Sequence, residues 1–274
     1  MAKLQAKLYR AAVYAGMAFS VGVLLLIVGY ILGKGVPHLS FELFAWEYNS
    51  DNVSMLPSII NTILMTFLSL LVCVPLGIGA AVYLTEYAPR GSKLVRLVRM
   101  TAETLAGIPS IIYGLFGSLF FVVTMKMGLS LLSGALTLSI MVLPTIMRTT
   151  EEALLAVPDS YREGSFGLGD GRLRTTFKVV LPSAVSGILS GVILAVGRIA
   201  GETAALIYTA GTVAKIPDSV FDSTRTLAVH MYTISTEGLY IDQSYATAVV
   251  LLIMVLAING MSTFIAKHIG GKHA

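Results

Sequence analysis

Charge is scarce in this chain. Only 12% of its 274 residues are Asp, Glu, Lys or Arg, while 55% are hydrophobic. Soluble domains carry roughly 25% charged residues. Such a chain cannot hide its apolar surface in one water-soluble core, which excludes the ordinary soluble enzyme. The net charge of +4 is too small to mark a nucleic-acid face, and no nucleic-acid partner is assigned. Cysteine is limited to Cys73, inside an apolar run, which leaves no internal disulfide and no thiolate metal site. It reads as a small buried hydrophobe. Tandem repeats, low-complexity tracts and long linkers are missing, and the length suits a single membrane domain over 1–274. No Ser/His, His/Glu or paired-Asp constellation lies in the apolar segments, so no catalytic or metal-binding residue is assigned.

What the chain has instead is long apolar runs. About 20 such residues cross a hydrocarbon core, and six segments qualify, at about 13–32, 57–83, 105–125, 129–147, 184–209 and 246–266. The fold class is an all-α integral membrane protein with about six transmembrane helices. Gly107, Pro109 and Gly114 predict an irregular start to the third segment. The first run is longer than the ~7–15 residues of a signal peptide, which predicts a membrane anchor. With a cytoplasmic N-terminus, fourteen Lys and Arg fall inside, including Arg90, Arg148, Arg162 and Lys272, and four fall outside (Lys34, Lys126, Lys215 and Arg225). That asymmetry predicts both termini in the cytoplasm. The outer loops read as short and acidic, with Trp46 and Tyr48 at the outer interface.

The longest inner loop, about 148–182, has an ordered pattern. Ser160 and Glu163 have the spacing of a capping box, which predicts a helix starting at Ser160 and running to about Leu168. Gly169-Asp170-Gly171 should break it, with Asp170 capping a second short helix that carries Arg172, Arg174 and Lys178, and Leu181-Pro182 ending that helix. The result is a helix–turn–helix knob suited to a partner's groove; a solvated connector with basic residues at lipid head groups is the plainer alternative. The glycine turn lacks the Lys-Ser/Thr of a phosphate-cradling loop.

Arg198 and Glu202 lie within the fifth apolar segment, where each ionisable group costs at least ~2.5 kcal/mol to insert. Four residues apart, they would share a helix face and pair, and Gly197 and Gly201 would admit a neighbouring helix. Two readings stand: a packing ion pair, or the lining of a polar solute path in which a guanidinium suits an oxyanion.

Two motifs resemble known families. Glu163-Gly164-Ser165, three residues, Gly169, nine residues, Val179, one residue and Leu181-Pro182 is similar to the EAA motif of ATP-binding-cassette (ABC) importer permeases, with Gly164 and Ser165 at its alanine positions and Val179 at its isoleucine. Residues 197–204 resemble the R-A-x-G-E-T signature of the phosphate-specific permeases, with Ile199 at the alanine position. Stretches 75–87, 107–117 and 143–154 resemble the A-type subunit of that importer, with the C-type subunit second. The resemblance implies a type I importer permease fold and a heterodimer with a second permease subunit. It also implies two copies of an ATP-binding subunit, a phosphate-binding protein outside, and residence in the bacterial inner membrane among lipid. It places Glu163, Gly164, Ser165, Gly169, Leu181 and Pro182 in the loop that docks on the ATPase. Arg198 and Arg148 would be pathway residues, with Glu202 holding the arginine. The chain carries no Walker motif, so ATP would be bound by the partner and this chain has no cofactor of its own. An importer permease for another oxyanion, such as sulfate or molybdate, is an alternative that the chemistry of Arg198 leaves open. A secondary anion transporter or channel is the rival class; it could use Arg198 and Glu202 but has no need of the docking loop.

Overall fold

The computed structural model describes residues 2–89 and 91–270, and no strand occurs among them. Arg90 and Lys272, two of the inner charges counted above, lie outside the described residues. Among the described residues five helical stretches are long and apolar enough to cross a membrane, and a bent pair makes a sixth if taken as one span. α1 (Ala2–Gly35) stands apart, touching α11 only near its end. α2 (Leu56–Val82) carries Pro75 inside and closes in a π-helical turn at Tyr83–Tyr87.

The third crossing differs from the expected 105–125. α3 (Lys93–Ala106) and the helix that begins with α4 (Ser110–Gly117) and continues as a π turn to Thr124 meet at 102°. Pro109 forces the break, because it has no N–H to donate and holds an extended ψ of 139°. α3 is amphipathic. Val95, Val98 and Ala102 face the core, and Leu94, Leu97 and Met100 face outward.

α5 (Leu131–Leu155) starts at Ser130, whose hydroxyl accepts the Ser133 N–H at 3.1 Å. It runs two turns beyond the expected end at 147. The apolar run stops there, but Glu151 and Leu154 remain buried and keep the helix docked. The intervening loop therefore begins near Ala156 rather than Arg148.

α6 (Asp159–Gly167) begins after Pro158, without a side-chain cap. Ser160 lies inside its first turn, so the expected capping box does not form. α7 (Arg172–Thr175) is capped by Gly171 rather than Asp170. The Asp170 carboxylate instead pairs with Arg174 at 3.1 Å and accepts the Ser165 hydroxyl. Leu181-Pro182 does not end a helix either. α7 passes through a π turn at Thr176–Val180 directly into α8 (Leu181–Ala200). The wider π register sits just ahead of Pro182, which cannot donate the next helical bond.

α9 (Ala204–Thr209), α10 (Leu227–Glu237) and α11 (Ile241–Gly270) complete the chain. The segment between α9 and α11 is longer than a simple outer loop, because it contains α10. α2, α5 and α8 form the central packing unit. Their core holds Met65, Cys73, Leu138, Met141, Ile146 and Ile199, all 1% exposed or less. Ser139 bridges α5 to α2 by donating to the Ser69 carbonyl at 3.0 Å. Gly114 lets α4 close onto α9: a β-carbon there would stand 2.7 Å from Ala205 Cα.

Candidate functional site

The chain's chemistry gathers at three levels along the bundle. Mid-bundle, the fifth apolar segment is not one helix. α8 stops at Ala200, and Gly201, Glu202 and Thr203 are non-helical before α9. Glu202 therefore leaves the face that carries Arg198, and the expected ion pair does not form. The Glu202 carboxylate is buried and accepts the Ala205 N–H at 3.1 Å, capping α9. Arg198 is half-buried in the last turn of α8, with no ion-pair or hydrogen-bond partner among the described residues. The negative end of the α8 dipole supports its charge, and the Tyr113 hydroxyl lies within its electrostatic reach. Gly197 faces Asn259 of α11 with room for a methyl group, and a β-carbon at Gly201 would meet only its own helix. Neither glycine is needed for close approach.

At the α6 end, carboxylates and arginines pair across elements. Arg148 lies within α5 and is exposed, bonded to Glu152 at 3.1 Å and near Glu103 at 3.8 Å. Arg99 of α3 bonds Glu151 of α5 at 2.6 Å. Arg162 of α6 bonds Glu86 at the close of α2 at 2.7 Å. A cavity of about 440 Å³ opens here, bordered by Glu86, Arg99, Asp159, Arg162 and Arg172. Glu163 and Gly164 are exposed on α6, while Ser165 is buried against Thr175 at 2.9 Å. Gly169 takes φ +91°, a conformation a glycine adopts without strain, and this makes the turn between α6 and α7. Leu181 and Pro182 open α8. Gly191 of α8 meets Thr149 of α5, about two turns from Arg198, so Arg148 and Arg198 stand at separate levels.

At the opposite end, Arg225 is buried rather than displayed on an outer loop. It lies over the Tyr48 ring at 4.5 Å, with Nε and Nη2 lacking partners among the described residues. His230 is fully buried beside it, and burial together with the Arg225 charge holds its pKa down at about 3. No spacing in the sequence marks this cluster. It follows from α10 folding back against the start of α2, where Thr62 accepts the Leu227 N–H at 2.8 Å.

The profile of the binding-protein-dependent transport system inner membrane component family matches residues 73–272. The chain belongs to that family. It is thus a membrane component of an importer and not an enzyme in its own right. Among its relatives is the probable ABC transporter permease protein YqgI of Bacillus subtilis, 34% identical over 88% of this chain and 88% of that protein. The phosphate transport system permease protein PstA of Pasteurella multocida is 32% identical over 94% of this chain and 92% of its own length. The phosphate transport system permease protein PstC of Mesorhizobium japonicum is 31% identical over 83% and 78%. The fold is shared with a bacterial ABC transporter involved in alginate import, at a TM-score of 0.64 and 18% identity, over 96% of this chain and 99% of that one. It is shared also with the MetNI methionine ABC transporter, at a TM-score of 0.61 and 21% identity, over 78% and 93%.

Proposed function

We propose that this family member is a permease subunit that moves inorganic phosphate through an ABC importer, in the bacterial cytoplasmic membrane with both termini inside. A second permease subunit would complete the pathway. Two ATP-binding subunits would dock at the α6–α7 turn and bind the ATP, and an extracytoplasmic phosphate-binding protein would deliver the anion to the α10 end. Transport would proceed by alternating access.

One observation carries the substrate reading. Arg198 sits in a membrane-spanning helix without a carboxylate partner among the described residues, in a chain whose relatives are named phosphate transport permeases. A guanidinium whose donors are free presents a planar fork to a passing oxyanion. Glu202 acts beside it by fixing the start of α9, not by neutralising it. Arg148, already engaged by Glu103 and Glu152, is the weaker pathway residue. The likeness to both PstA and PstC supports either member of a heterodimer, and the A-type assignment rests on the stretches at 75–87, 107–117 and 143–154.

Phosphate uptake by cells carrying the full transporter tests this. Arg198→Gln keeps a polar side chain with an N–H donor but is shorter and loses the charge and the fork. Loss of one or two charge-assisted hydrogen bonds lowers uptake about 10–100-fold, with membrane abundance unchanged. Uptake by Arg198→Gln at the parent rate, or parent uptake of sulfate in preference to phosphate, would refute the assignment.

A further inference from the structure

Arg162 binds more partners than any other side chain at the α6 end. Its side chain is 15% exposed and that of Glu86 is 9% exposed. Nη2 donates to Glu86 Oε1 at 2.7 Å, and Nε donates to the two carboxylate oxygens at 3.2 and 3.3 Å. The remaining contacts are to two backbone carbonyls and a second carboxylate. Nη2 also meets the Leu154 carbonyl at 2.9 Å, and Nη1 meets the Val157 carbonyl at 2.8 Å and Asp159 Oδ1 at 3.3 Å.

One guanidinium thus joins three segments: the π turn that closes α2, the last turn of α5 with the link that follows it, and α6 itself. The Leu154 carbonyl is among the last four of α5, and Arg162 reinforces the long 3.3 Å bond that it accepts from the Val157 N–H. The chain runs from α5 into α6 through Pro158 and on through the Gly169–Gly171 turn into α7, where the Ser165–Thr175 hydroxyl contact at 2.9 Å ties α6 toward α8. Toward α2 and α5, the planar guanidinium makes the connection, and its several donors fix its orientation at once. Stability alone is a poor reason for such a pair, since desolvating two charges offsets much of their attraction.

We propose that Arg162 is a positioning residue of the transport cycle, clamping α6 to the ends of α2 and α5. The three then move as one body, and a displacement of α6 reaches the transmembrane core instead of being absorbed in the flanking turns. This rests on the reading of the α6–α7 turn as the ATPase-docking element.

The test uses the whole transporter in proteoliposomes, with inorganic phosphate as the solute. It reads three quantities: phosphate moved per ATP hydrolysed, ATP hydrolysis itself, and cross-linking of an α6 cysteine to the ATP-binding subunit. Arg162→Gln and Glu86→Gln are expected to lower phosphate moved per ATP at least about tenfold, while hydrolysis and cross-linking stay within about twofold. Arg162→Lys keeps the charge but cannot span all three segments, and falls in between. A purely structural role would lower abundance and hydrolysis together and leave the ratio unchanged. Arg162→Gln with the parent's ratio overturns the proposal. So does loss of both the Gln and the Lys variants from the membrane, which would make Arg162 a folding residue. Absence of the α6 cross-link in the parent refutes the docking reading itself, before any variant is compared.

Discussion

Arg198 and Glu202 are four residues apart, and the break between them predicts that they are energetically independent. If they were a buried ion pair, removing either partner would strand the other at a cost of about 3–5 kcal/mol, and removing both would recover most of it. The break at 201–203 predicts otherwise. Glu202 Oε1 accepts the Ala205 N–H at 3.1 Å, so Glu202→Ala loses a helix cap worth about 1–2 kcal/mol. Glu202→Gln keeps an oxygen in place and should cost no more than ~0.5 kcal/mol. Arg198→Gln removes a cation from the C-terminal turn of α8, worth about 0.3–1 kcal/mol. The double variant Arg198→Gln/Glu202→Gln should equal the sum of the singles within ~0.5 kcal/mol. Thermal unfolding of the purified complex in detergent measures this, at about 2–4 °C per kcal/mol for a chain of this size. A coupling above ~1 kcal/mol, or a Glu202→Gln as damaging as Glu202→Ala, would refute the geometry of the break.

Two further perturbations follow from the other ends of the bundle. Gly169→Val should leave membrane abundance intact but weaken ATP-driven uptake: a β-carbon at φ +91° has open space around it, so the penalty is backbone strain of at least about 1–2 kcal/mol. Gly169→Asn, which tolerates such a φ better, should retain most uptake, and equal loss in both variants would show that the turn does not need its conformation. His230, with its pKa held at about 3, binds its proton more weakly folded than unfolded. Stability should therefore decline as pH falls from about 6.5 toward 3, by up to ~1.4 kcal/mol per pH unit. His230→Phe should flatten that decline between pH 6.5 and 4.5, and an unchanged slope in thermal unfolding would place the effect elsewhere.

The broad architecture was legible because lipid imposes a long apolar period on every span. The knob between the fourth and fifth spans was legible because Gly169 and Gly171 punctuate a polar run. What escaped was local and depended on neighbours. Nothing in the spacing of Ser160 and Glu163 reveals that Pro158 starts the helix one residue earlier. Composition makes 184–209 look continuous, since Gly201 and Thr203 are common within membrane helices; only packing of α9 against Gly114 and Gly134 turns them into a break. α3 was hidden because its outward Leu94, Leu97 and Met100 alternate with arginines and read as a connecting loop. Glu86 and Arg162 are 76 residues apart, and no local pattern announces a bond across that distance.

α1 invites a different kind of consequence. Among its described residues Gly35 alone is buried, where Tyr245 and Val249 of α11 leave no room for a side chain, and Tyr30 meets the Tyr245 ring edge-on at 5.9 Å. The central packing of α2, α5 and α8 therefore makes no demand on α1, and the family profile begins only at Cys73. Within this chain the first span is a separable part, held by the Gly35 notch and the Tyr30 contact, and the rest of its surface is left to lipid or to the partner permease of the proposed heterodimer. A transplanted first helix from YqgI should be accepted if its last turn carries a small residue at that one position.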